Sequence, residues 1–117
     1  MKRLDCYVYT HRRARGLTQP ELAFLLGWKS GSPISLLEKS GREPKLTIAF
    51  ALEILFGAGS ADLFPKLLVA AEDELMRRDY ELRQRLKRHP SKKSEVKILL
   101  LDQAMKRATD RIKQREE

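Results

Sequence analysis

Cysteine is almost absent from this 117-residue sequence, and the single Cys6 excludes an internal disulfide. With only His11 and His89 beside it, these residue types assemble no zinc set, and no metal or cofactor is expected. Long hydrophobic runs are lacking as well. The longest apolar stretch, around Ala49 to Leu55, is interrupted by Glu53 and falls well short of the ~18 residues that span a bilayer. Near the N-terminus, Met1-Lys2-Arg3-Leu4-Asp5 leads into mixed polar residues instead of the apolar region of a secretion signal. The expectation is a soluble, cytoplasmic chain with no membrane partner. The length allows one small domain, or one plus an extension, and excludes large enzyme folds. Acid is the scarcer charge, 16 Asp and Glu against 24 Lys and Arg, for a net charge of +8. Because the excess is spread along the chain, with nine bases to five acids over residues 1–59 and eight to five over 89–117, it is not the property of a tail.

Enough apolar residues are present, 42%, to build a core. Their periodicity predicts a helix over residues 4 to 15, with Leu4, Val8 and His11 on one side and Gly16 at its end. Thr18-Gln19-Pro20-Glu21 has capping-box spacing and opens a second helix that runs to about Leu26, where Gly27 stops it. After the turn Lys29-Ser30-Gly31, Ser32 is a good N-cap and Pro33 a favoured first residue, so a third helix covers about Pro33 to Lys39. Ser40-Gly41-Arg42-Glu43-Pro44 reads as a loop, Leu46 through Phe56 as a buried helix, and Ser60 through Phe64 as a capped single turn.

Beyond residue 64 the pattern changes. Residues 66 to 88 form a long amphipathic helix with Leu68, Ala71, Leu75, Leu82 and Leu86 on one stripe. His89 to Ser94 is a linker, and a helix from about Glu95 to Arg115 sets Ile98, Leu101, Met105, Ala108 and Ile112 along a seam. The expected fold is therefore all-α, with one domain over residues 1–64 and a helical extension over 65–117. Two long amphipathic helices of this kind contribute to dimerisation or hold a protein partner through residues 66–115. Their charged faces read as solvated surface.

The densest constellation is Gln19-Pro20-Glu21-Leu22-Ala23-Phe24-Leu25-Leu26-Gly27, a polar turn, then Ile34-Ser35-Leu36-Leu37-Glu38. Two short helices that cross steeply need a small residue at closest approach, a glycine to turn, and apolar residues inside the second helix. Ala23, Gly27, Ile34 and Leu37 supply these. The outer side of the second helix is then available to a major groove.

From about Tyr9 to Pro65 the chain resembles the phage-repressor and Cro type of helix-turn-helix regulator, also called the xenobiotic-response-element family. The resemblance rests on Arg12, Gly16-Leu17-Thr18-Gln19, Leu22-Ala23, Gly27, Ile34-Ser35, Glu38, Pro44 and Ala61-Asp62-Leu63-Phe64, and covers roughly half the chain. It implies a lambda-repressor-like five-helix domain that binds double-stranded DNA sequence-specifically, as a homodimer and as a repressor, in the cytoplasm and on the nucleoid when bound. The family pattern places Gln19 at the groove margin, Ser30, Ser32, Pro33, Ser35 and Leu36 at the groove-facing end of the recognition helix, and Lys39 and Arg42 at the DNA backbone. Lys29 adds a phosphate contact. Arg12 and Glu38 match positions that form a structural ion pair.

Two features depart from the commonest pattern. Six residues, Trp28 to Pro33, separate Gly27 from Ile34 where familiar members have five. The reading surface offers Ser, Pro and Leu in place of the Arg, Asn or Gln that read bases bidentately. Specificity is then expected from Leu36 or Pro33 against thymine methyls, from Lys29 or Arg42 at guanine, or from DNA shape. That surface also motivates a rival reading, a protein-interaction adaptor or antitoxin on the same scaffold. No paired carboxylates, activated nucleophile or glycine-rich phosphate cradle is assembled, so an enzyme is not expected.

Overall fold

The computed structural model describes residues 5–40 and 42–116, and among these the chain is all-α, with seven helices and no strand. Leu4 and Gly41, expected on the first helix and in the loop after the third, lie outside the described residues. No described helix is long and apolar enough to cross a membrane. The chain divides into two compact units, Met1–Val69 and Ala70–Glu117.

The first unit holds α1 (Val8–Ala14), α2 (Gln19–Leu25), α3 (Ser32–Ser40), α4 (Leu46–Phe56), α5 (Ser60–Leu63) and the start of α6 (Pro65–Arg88). The largest fully buried side chains come one from each of α1 to α5 and share a common core: Val8, Leu22, Ile34, Leu52 and Leu63. The first helix starts later than its periodicity suggests. The Tyr7 amide donates to the Leu63 carbonyl at 2.8 Å and Cys6 is buried, so this segment is held against α5 instead of coiling. Burial pushes the Cys6 thiol up and keeps it protonated, a core residue and not a nucleophile.

Local chemistry explains the tight turns. The Thr18 hydroxyl accepts the Glu21 amide at 3.2 Å while the Glu21 carboxylate accepts the Thr18 amide at 2.9 Å, closing the capping box that starts α2. The bond from the Thr18 amide, with the neighbouring Thr18 hydroxyl, holds the Glu21 carboxyl below the usual range. At the other end Gly27 adopts φ +78°, its amide reaching the Phe24 carbonyl at 3.1 Å and the Trp28 amide the Ala23 carbonyl at 2.8 Å. This doubly bonded left-handed ending turns the chain sharply toward α3. α3 begins at Ser32, because the Gly31 carbonyl already accepts the Ser35 amide at 3.1 Å. The expected Ser60 cap is different: Gly59 occupies the N-cap, and the Ser60 hydroxyl donates to Glu53 at 2.6 Å.

The second unit contains the remainder of α6 and α7 (Lys92–Glu116), which form a hairpin. α7 starts earlier than expected, since the Ser91 hydroxyl accepts the Ser94 amide at 3.1 Å and the Ser94 hydroxyl donates to the His89 carbonyl at 2.9 Å. The helices run antiparallel: Arg115 forks onto Glu72 at 2.8 and 2.5 Å, and Arg83 bridges Asp79 at 3.0 Å and Asp102 at 2.7 Å. The α7 seam of Ile98, Leu101, Met105, Ala108 and Ile112 is half-buried or buried. On α6 the inward side differs from the leucine stripe. Glu72 and Asp79 are buried and Met76, Arg83 and Leu86 half-buried, whereas Leu75 and Leu82 are 52% and 37% exposed. Partnering each acid with an arginine makes this polar side tolerable inside the hairpin.

Candidate nucleic-acid interface

α3 has an inside and an outside. Ile34 and Leu37 are buried against α1 and α2, while Ser32, Pro33, Leu36 and Lys39 are exposed, Leu36 at 54%. Ser35, between the two sides, is half-buried. This division follows from helical spacing, with the buried pair three residues apart and the exposed residues on the remaining arc.

A buried ionic cluster fixes the inner side. The Arg12 Nε donates to Glu38 at 2.7 Å and its Nη2 at 3.2 Å, with both side chains under 8% exposed. The Arg12 Nη1 donates to the Leu17 carbonyl at 2.7 Å, at the glycine-ended turn after α1. Gln19 completes the cluster, its Nε2 donating to Glu38 at 3.0 Å. The Gln19 side chain is therefore half-buried and directed toward α3. With its charges paired and its donors directed, the cluster avoids the large cost of an isolated buried charge and locks the angle between α1, α2 and α3.

The turn between α2 and α3 lies close to the start of α2. A side chain at Gly31 would place its Cβ 3.3 Å from the Gln19 Cβ, a tight contact that the start of α2 would have to yield to by a few tenths of an ångström. Lys29 and Ser30 are exposed beside it. Trp28 is half-buried against the core. On the other side of α3, a cleft of about 440 Å³ brings Pro33 and Leu36 together with Trp28, Arg42, Lys45 and Ile48. Arg42 and Lys39 are both exposed cations, and Glu43 is the acid of the cleft lining.

Sequence reasoning missed Lys45, which shares the cleft with Arg42; its position one residue past Pro44, before an apolar helix, was the available signal. It also missed Gly31, whose role depends on the approach of Gln19. Arg15 is committed elsewhere, donating to the Phe56 carbonyl at 3.1 Å and lying over the Phe56 ring at 5.4 Å. Arg13 is exposed, near the Tyr9 ring. No cluster of three or more metal-ligating side chains occurs among the described residues. What the arrangement offers chemically is a rigidly backed helix with hydroxyl, apolar and cationic groups facing outward, suited to contact with a polyanion. No family model, curated protein or solved structure matches this chain.

Proposed function

We propose that this chain is a sequence-specific DNA-binding transcriptional regulator, a repressor of the phage-repressor and Cro type with a lambda-repressor-like domain, which inserts α3 into the major groove and acts as a homodimer on paired half-sites. The observation that carries this reading is the contrast across α3: its inner side is anchored by core residues and by the Arg12–Glu38–Gln19 cluster, and its outer side is exposed between Lys29, Lys39 and Arg42. Rigid backing with an open, cationic exterior is what groove insertion demands, because phosphate contacts set register before base edges are read.

In this reading Lys29, Lys39 and Arg42 hold phosphates, and Ser32, Pro33, Ser35 and Leu36 meet the groove. Gln19, tied to Glu38, orients α3 and contacts DNA only at its margin. The outward residues are small or apolar, so discrimination comes from thymine methyls and DNA shape more than from bidentate hydrogen bonds. Replacing Lys39 and Arg42 together with alanine is the test. Loss of operator retention with an unchanged melting temperature supports the reading; undiminished retention contradicts it.

One observation favours a second activity. The hairpin exposes Leu75, Val96, Leu99 and Leu100, each more than half accessible, which fits a protein partner bound through residues 66–115. If partner capture persists in the Lys39/Arg42 double variant while no duplex is ever retained, the adaptor or antitoxin reading replaces the regulator.

A further inference from the structure

α4 is apolar on every side, yet it is not buried on every side. From Leu46 to Phe56 its one charged residue is Glu53, a composition suited to a helix enclosed all round. Ala49, Leu52 and Phe56 face the core. On the opposite arc, Leu46, Phe50 and Ile54 are 67%, 53% and 84% exposed. These three recur every fourth residue and so form one stripe.

The charges at the two ends of the stripe indicate what covers it. At its start stand Lys45 and a first turn whose N-cap makes no side-chain hydrogen bond. Toward its end stands Glu53, held in place by the Ser60 hydroxyl at 2.6 Å. We propose that the Leu46–Phe50–Ile54 stripe is a homodimer interface in which α4 packs antiparallel on α4 of a second copy about a twofold axis near Phe50. That pairing sets Leu46 against Ile54 of the second copy and meets Phe50 with itself. It also brings each Glu53 beside the other copy's Lys45 and uncapped first turn, where an anion is favoured. Parallel packing would set like charges side by side, and a partner of a single charge sign would match one end only.

Three side chains per copy fall short of the roughly 800 Å² that each partner buries in a standard interface. The free association is therefore weak and concentration-dependent, strengthened when two copies are held close together on one ligand.

Sedimentation of the full chain without DNA tests the proposal, so its failure is distinct from failure to bind an operator. A monomer–dimer equilibrium is expected, and Phe50→Glu should weaken it at least ~30-fold. Ile54→Glu, at a more exposed position, should do the same with an unchanged melting temperature. Under oxidation, Phe50→Cys should cross-link to its own copy, while Leu46→Cys and Ile54→Cys should cross-link when mixed and not singly; Cys6, being buried, is left in place. A monomer at all concentrations, a dimer indifferent to both glutamates, or Leu46→Cys cross-linking alone as readily as in the mixture would each overturn it.

Discussion

The two units of this chain solve the same problem, holding amphipathic helices together, with different materials. Among the described residues of the first, eleven buried apolar residues from α1 to α5 and the turns beside them converge on one core, and the Arg12–Glu38 pair is sealed beneath α3. Among the described residues of the second, Ala108 is the sole buried apolar one, and the antiparallel pairing is bridged by Arg115–Glu72 and Arg83–Asp102. Charge screening does not weaken a core of close-packed apolar side chains, whereas it does weaken ion pairs with one partner near solvent. The difference teaches where rigidity is placed: behind α3, where a fixed surface is useful, and less in the hairpin, whose leucines remain open.

The largest expected effect sharpens this contrast at its ionic cluster. Glu38→Ala strands the Arg12 guanidinium in the core and should cost about 3–5 kcal/mol by urea unfolding. The matching Glu72→Ala should cost the second unit less, because Arg115 can turn to water. Next, Ile34→Ala should cost about 2–5 kcal/mol, and half-buried Leu101→Ala about 1 kcal/mol. Equal losses at the two sites would break the comparison. Raising the salt concentration should lower amide protection across α7 while leaving α2 and α4 unchanged, as read by hydrogen exchange.

The smallest effect concerns the start of α2, where Thr18→Ala removes the cap and should cost about 1 kcal/mol. Glu21 is part of the same box, with its carboxyl held below the usual glutamate value in the folded state. Its contribution is therefore complete above that usual value and is lost as pH falls through the lowered one. A titration of stability at acid pH should show this loss in the parent and not in Glu21→Gln, while Thr18→Ala, which keeps the backbone amide that donates to Glu21, should retain most of it.

Local signals made much of the fold legible. The Thr18–Glu21 box, the stop at Gly27 and the α4 bounds Leu46–Phe56 all follow from residues within one or two turns of each other. What escaped depends on partners distant in sequence. The N-terminal segment is held out of α1 by Leu63, and the inward side of α6 is chosen by Arg115 and Asp102 across the hairpin, which no periodicity on α6 reports. Serine ambiguity misplaced the start of α7, since Ser91 and Ser94 look equally like linker and cap. At the candidate site, the exposure of Ser32, Pro33, Leu36 and Lys39 around buried Ile34 and Leu37 follows from helical spacing. The turning inward of Gln19 does not, because its partner Glu38 is supplied by another helix.

Whether α3 meets duplex DNA is tested most directly by selecting bound fragments from random duplexes with the full chain. An enriched site is predicted with two halves about one helical turn apart. Its binding constant should fall with salt at a log-log slope of about −7 if each of two subunits neutralises about four phosphates. No enriched sequence, together with a slope near zero, would contradict it.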